Sequence, residues 1–316
     1  MEYSFCGNSG LQLPKISLGL WHNFGDVDDF AEAKKMVHHA FDNGITHFDL
    51  ANNYGPPPGS AEQNFGKILS EGLKNHRDEL IISSKAGHLM WSGPYGDGSS
   101  RKSIMASINQ SLKRTGLEYF DIFYSHRYDH QTPVEETMQA LIDIVKQGKA
   151  LYVGLSKYPL EETKKAYKML REQHVPCLVY QDKYSMFHRY PEEGHLELNE
   201  ESGVGFVSFS PLAQGLLTDR YLNGIADNSR AAKSSGFLQK NEVTFEIINK
   251  AQKLNQIAQK RGQTLAEMAL AWVLSHKEVT SAIVGVSSVN QLDTNLGVLK
   301  NMSFSKAEIS EIEKII

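Results

Sequence analysis

Short apolar or β-branched runs recur along this chain, and between most of them the apolar positions fall at helical spacing. The runs KISLGL (15–20), ITHFDL (45–50), LIISSK (80–85), DIFYS (121–125), ALYVGLS (150–156), CLVYQ (177–181), GFVSFS (205–210) and SAIVGV (281–286) read as eight buried strands. The segment DFAEAKKMVHHAFDNG (29–44) puts Phe30, Ala33, Val37, Ala40 and Phe41 on one face and stops at a glycine. RKSIMASINQSLKRTG (101–116) and PVEETMQALIDIVKQG (133–148) also end at glycine, and the second opens on a helix-initiating proline. Most strand-to-strand intervals match the size of a βα unit.

Eight such units predict a single (β/α)8 TIM barrel spanning 1–316 as one domain. The rival is a doubly wound open sheet. It expects a GxGxxG fingerprint after the first strand, and GLWHNFG (19–25) is not that pattern. YSF (3–5) and LQL (11–13) flank CGNSG and predict a β-hairpin ahead of the barrel. After the seventh strand, 217–242 reads as an inserted loop, followed by helical patterns at 244–261 and 264–275.

Composition narrows the function classes. The chain is 41% apolar and 22% charged, with a net charge of −4, so it has the balance of a globular protein and no basic footprint for nucleic acid. No apolar run reaches the roughly 18 residues of a membrane span. The start, MEYSFCGNSG, lacks the basic and apolar segments of a secretory leader. Cys6 and Cys177 are the only cysteines, too few for a disulfide framework or a soft metal site. A cytoplasmic, metal-free protein acting on a small molecule is the expectation.

The polar residues sharpen this. In a (β/α)8 barrel the active site lies at the C-terminal ends of the strands. Those ends read Asp49, Lys85, His126, Ser156, Gln181, Ser210 and Gly285. Helix capping accounts for Ser and Asp at such places, but Lys85 and His126 are not favoured caps. A carboxylate at the end of the apolar run ending FDL requires a partner, and Lys85 on the neighbouring strand is in position to be one. Tyr54, five residues beyond Asp49, can fold over the same mouth. An ammonium beside a phenol is expected to lower its pKa and make it a proton donor. His126, on the next strand, can orient a carbonyl oxygen. An acid plus a carbonyl-orienting group describes carbonyl reduction, given a hydride source. A Schiff-base aldolase using Lys85 is a rival, disfavoured because a lysine paired with Asp49 is charged rather than nucleophilic.

At these residues the sequence resembles the aldo-keto reductases. FDLANNYG, SSKAG, YSHRYD, YVGLSKY, SPLAQGLL and VGVSSVNQLDTN carry the likeness in order along nearly the whole chain. ANNYGPPPGSAEQNFG, MWSGPYGDGSSRK and YSHRYDHQTPVEETMQAL are closer still to the subgroup of bacterial L-glyceraldehyde 3-phosphate reductases and voltage-gated potassium channel β subunits. The resemblance implies a tetrad of Asp49, Tyr54, Lys85 and His126. It implies NADPH laid across the barrel mouth, with Ser156 and Gln181 at the carboxamide and Trp21 beside the nicotinamide. Ser210, Pro211, Leu212, Gly215 and Leu216 would follow the pyrophosphate. Arg220, Ser287 and Gln291 would surround the adenosine 2′-phosphate, with Asn295 at the adenine and Gly285 a further cofactor contact. A helix start after Gly285 and an arginine fork independently suit a phosphate. Trp21, Tyr54, Trp91, His126 and Arg127 are the candidate substrate contacts.

Departures from the family's pattern are Thr294 in place of a frequent glutamate, Lys157 in place of asparagine or arginine, and Phe209 in place of a tryptophan. The implied activity is NADPH-dependent reduction of small aldehydes or ketones, L-glyceraldehyde 3-phosphate or methylglyoxal among them. The competing implication is an NADPH-binding regulatory or redox-sensing subunit like the channel subunits; His126, often missing from those, favours the enzyme. Subgroup relatives often assemble, so the resemblance is compatible with a homo-oligomer without fixing the oligomeric state.

Overall fold

The computed structural model describes residues 1–222, 224 and 242–316. Of the expected inserted loop 217–242, residue 223 and residues 225–241 lie outside the described part. A hairpin of β1 (Tyr3–Phe5) and β2 (Gln12–Pro14) precedes the barrel. Eight parallel strands then close on themselves: β3 (Ile16–Gly19), β4 (His47–Asp49), β5 (Ile81–Ala86), β6 (Phe120–Ser125), β7 (Ala150–Ser156), β8 (Cys177–Lys183), β9 (Gly205–Phe209) and β10 (Val279–Val284). Each pairs with its sequence neighbours, and β10 returns to β3, so no edge is left open. This is the (β/α)8 barrel and N-terminal hairpin that the alternation of patterns predicts.

The helices form because one stripe of each is apolar and the barrel wall offers somewhere to bury it. In α1 (Phe30–Asp42), Ala33, Met36, Val37 and Ala40 are buried, and Asp29 caps the N-terminus by accepting from Ala31 and Glu32 N–H. Helices α2 (Ser60–Ile68), α3 (Arg101–Thr115), α4 (Val134–Lys146), α5 (Leu160–Glu172) and α6 (His195–Ser202) follow their strands in turn. α7 (Phe245–Lys260) and α8 (Leu265–Ser275) precede β10, and α9 (Val289–Leu296) and α10 (Lys306–Glu313) come after it. Between α2 and α3 the buried Glu62 accepts from Arg114 Nε at 2.6 Å and from Ser84 Oγ at 2.6 Å, so this carboxylate is fully partnered.

The barrel interior has two zones. Ile81, Ile122, Val179, Val207 and Ile283 pack with Cys6 and Leu13 of the hairpin, which supplies apolar cover to that part of the barrel. Tyr124 fills the space beside Gly154, where an added Cβ would come within 2.3 Å of the ring, so only glycine fits there. The second zone is polar and leads to the strand ends.

Candidate active site

The polar zone grows out of strand alternation. Ser17 on β3, His47 and Asp49 on β4, Ser83 and Lys85 on β5, and Ser281 on β10 are all buried, and residues two apart on a strand share a face. Their side chains form one hydrogen-bonded chain. Ser281 Oγ lies 2.7 Å from Ser17 Oγ, which is 2.8 Å from His47 Nδ1; His47 Nε2 is 3.0 Å from Ser83 Oγ. Ser83 donates to Asp49 Oδ1 at 2.6 Å. Ser83 therefore accepts from His47 Nε2–H, which leaves Nδ1 to accept from Ser17. Burial holds His47 at about 4, so the ring is neutral at neutral pH.

Asp49 Oδ2 takes the Lys85 ammonium at 2.5 Å, and Lys85 also donates to Leu50 O at 2.7 Å. Gln181 Nε2 donates to Asp49 Oδ1 at 3.3 Å. Lys85 Nζ is 3.5 Å from the Tyr54 hydroxyl. Burial pulls the lysine below its ordinary value while Asp49 opposes that fall. The expected lowering of the Tyr54 pKa is not what the site does. Burial, and then the Asp49 charge, raise it well above the ordinary phenol value. The Lys85 charge is already committed to Asp49, so the phenol meets a nearly neutral pair, and desolvation of the phenolate wins.

His126, directly after β6, faces this group. Its ring meets Tyr54 edge-on with centroids 5.9 Å apart. Burial and the nearby cations hold it well below the ordinary histidine range, so it is neutral. Its Nδ1 is buried without a hydrogen-bond partner among the described residues. Trp21 stacks over Tyr54 at 6.0 Å.

These groups open into a cavity of about 420 Å3, within the roughly 300–1,000 Å3 of small-molecule sites. Asp49, Tyr54, His126, Trp21 and Gln181 line it on one side; Ser210, Pro211, Leu212, Gly215 and Arg220 line the segment after β9; Gly285 and Gln291 complete it after β10. Ser210 has φ 51°, an unusual left-handed conformation for a serine, at the point where the chain turns along the cavity.

Other expected residues stand just outside the lining. Ser156 is buried at the end of β7, and Asn295 is buried in α9; Ser156 Oγ and Asn295 Nδ2 have no partner among the described residues. Ser287 donates through N–H and Oγ–H to Gln291 Oε1 at 2.9 and 3.1 Å. Leu216 packs into the core. Trp91 is exposed in the loop after β5. Arg127 donates to Gly87 O at 3.0 Å and pairs with Asp97 at 2.8 Å. Neither Trp91 nor Arg127 lines the cavity.

Sequence reading singles out none of His22, Asn53, His88, Gln214 and Thr218 among the lining residues, although Asn53 and Gln214 fall inside FDLANNYG and SPLAQGLL; Lys157 and Phe209 stand out only as departures. The buried polar chain had a signal. Polar residues recur at every second position in HFD and SSK, where an apolar strand interior is expected.

Among the described residues no cluster of His, Cys, Asp or Glu could hold a metal ion, and no helix is long and apolar enough to cross a membrane. Cys6 and Cys177 are free and buried.

Comparison with known proteins supplies the family. The family model described as Aldo/keto reductase family matches residues 15–316. The chain is 52% identical over 320 residues to L-glyceraldehyde 3-phosphate reductase of Escherichia coli (strain K12), covering 100% of this chain and 92% of that protein. It is 33% identical over 323 residues to a probable voltage-gated potassium channel subunit beta of Oryza sativa subsp. japonica, covering 100% of this chain and 97% of that one. A protein of the same description from Arabidopsis thaliana is 34% identical over 302 residues, covering 94% and 90%. The chain belongs to the aldo/keto reductase family and is an oxidoreductase.

Proposed function

We propose that this enzyme reduces small aldehydes or ketones to alcohols with NADPH, using Tyr54 as the general acid. The observation that carries the reading is the Lys85–Asp49 pair set against the Tyr54 hydroxyl, with neutral His126 facing it across one cavity. Similarity to the E. coli L-glyceraldehyde 3-phosphate reductase supports a phosphorylated triose as substrate, and methylglyoxal is a second candidate.

The residues present fit NADP(H). Ser156 Oγ and Asn295 Nδ2 are buried donors or acceptors left without partners, a costly state that a bound ligand relieves. Arg220 lines the cavity with no carboxylate within ion-pair distance among the described residues. In this reading Ser156 and Gln181 hold the carboxamide, Trp21 flanks the nicotinamide, and Ser210, Pro211, Leu212, Gly215 and Leu216 follow the pyrophosphate. Ser287, Gln291 and Arg220 hold the 2′-phosphate end, with Asn295 at the base and Gly285 a further contact. When bound, NADPH supplies the hydride that the carbonyl carbon accepts.

The chain's own groups do the rest. His126 offers an N–H to the carbonyl oxygen and fixes its direction. Tyr54 gives its proton to that oxygen as negative charge develops there. The raised pKa keeps Tyr54 protonated, and therefore usable as an acid, over a wide pH range. Lys85, held charged by Asp49, keeps an ammonium 3.5 Å from the oxygen that gives up the proton.

The test is loss of absorbance at 340 nm with NADPH, and separately NADH, against glyceraldehyde 3-phosphate, methylglyoxal and an aromatic aldehyde. Turnover that prefers NADPH upholds the reading. Tight NADPH binding with no turnover of any carbonyl would overturn it in favour of a cofactor-sensing subunit.

A further inference from the structure

The cavity carries a basic pair that the reduction chemistry leaves unused. Lys157 follows β7 and His88 lies three residues beyond Lys85, and both line the cavity. Lys157 Nζ lies 3.0 Å from His88 Nε2, and an ammonium can only donate, so His88 accepts there. The His88 ring in turn stands edge-on to His126 with centroids 4.5 Å apart. The pair therefore adjoins the group that faces the carbonyl oxygen.

We propose that Lys157 and His88 form an anion subsite that receives the phosphate monoester of a phosphorylated aldehyde, with the carbonyl held at Tyr54 and His126. The inference rests on the reductase reading above and adds the residues that choose the substrate.

Three observations carry it. First, Lys157 is half-buried and has no carboxylate within 4 Å among the described residues. The nearby acids are occupied. Asp97 is bound to Arg127, and Asp182 accepts from Lys183 N–H at 2.7 Å. An ammonium out of bulk water without a counter-ion is costly, and two of its three protons remain for a ligand.

Second, the backbone of Lys157 is left-handed, φ 53°. That conformation is uncommon for a residue with a side chain, and such outliers gather at ligand-binding positions. Here it accompanies a side chain that lines the cavity.

Third, the surroundings are cationic. Lys85 and Arg127 add to burial in drawing Lys157 down to about 8, while Asp182 opposes them. Lys157, Arg127 and Lys85 also act on His88, which burial holds at about 4. A dianion at the pair would counter both effects and keep Lys157 charged, while His88, accepting at Nε2, carries its own proton on Nδ1. A phosphate monoester, nearly a dianion at neutral pH, suits two adjacent nitrogens better than a neutral substituent.

The test compares wild type with Lys157→Met, Lys157→Arg and His88→Gln. Its readouts are kcat/KM for glyceraldehyde 3-phosphate and for unphosphorylated glyceraldehyde, the NADPH dissociation constant, and binding of glycerol 3-phosphate to the NADP+ complex followed by tryptophan fluorescence. The expected result is a kcat/KM for the phosphorylated aldehyde that falls at least tenfold further in Lys157→Met than that for glyceraldehyde. Lys157→Arg should recover part of the loss, and glycerol 3-phosphate binding should weaken in parallel. Equal losses on both aldehydes, or a matching loss of NADPH affinity, would overturn the subsite. If wild type reduced neither aldehyde, the reductase reading would fail; the subsite would still be judged by whether glycerol 3-phosphate binding depends on Lys157.

Discussion

The Lys85 ammonium lies 2.5 Å from Asp49 Oδ2, with both side chains shut away from solvent. Each charge is affordable there only because of the other. Asp49 is further held by Ser83 and Gln181, so the pair is fixed in direction as well as charge. That rigidity keeps an ammonium 3.5 Å from the Tyr54 hydroxyl without leaving it free to act as a nucleophile.

Replacing Tyr54 by Phe removes one hydroxyl and little volume. If Tyr54 is the acid, kcat falls by about 100-fold or more. NADPH binding, followed by quenching of protein fluorescence, stays within about threefold. A variant that keeps more than half of wild-type kcat would exclude Tyr54 from proton transfer.

Asp49→Asn leaves Lys85 buried without its counter-charge. The expected cost is about 3 kcal/mol of folding stability, read as a lower urea midpoint. The double variant Asp49→Asn, Lys85→Met removes both charges and should recover part of that loss. Single and double variants with the same midpoint as wild type would show that the pair contributes nothing to the fold.

His47 gives a pH signature. Its pKa in the folded chain is about 4, against an ordinary value of 6.5. Between those values the unfolded chain binds the proton and the folded chain does not. Stability therefore falls as pH drops from 6.5 to 4, by about 3 kcal/mol for a shift of this size. His88 has a lowered pKa of about 4 as well and adds to the same trend. Urea midpoints between pH 7 and pH 4 should show a shallower slope in His47→Gln than in wild type. An unchanged slope would mean that the neutral ring in the barrel is not what acid titrates.

The Lys157 subsite gives a second signature, at the alkaline end. Lys157 is drawn down to about 8 by burial, Lys85 and Arg127, against the pull of Asp182, and its amine touches His88. In free enzyme it loses charge as pH rises through that value, well before an ordinary lysine would. KM for glyceraldehyde 3-phosphate should therefore rise from pH 7.5 to 9, while KM for glyceraldehyde moves much less. Parallel rises for both aldehydes would place the titrating group elsewhere.

Sequence pattern by itself determined the barrel, because eight apolar runs at βα spacing leave few other ways to bury two faces of a sheet. It also placed Asp49, Lys85 and His126 at strand ends, since strand order sets which ends are neighbours, and Asp49 and Lys85 do meet. Charge balance and the lining of the cavity were legible only partly. Phenol acidity depends on net field and solvent exclusion, and these are sums over the whole surrounding structure, so the sign of the Tyr54 shift was decided only in three dimensions. The same holds for Lys157 and His88. They are 69 residues apart, on loops after two different strands, and their 3.0 Å contact exists only because the barrel brings those loops to one mouth. A strand's alternation tells which side chains point inward. What they meet there is a property of the closed barrel.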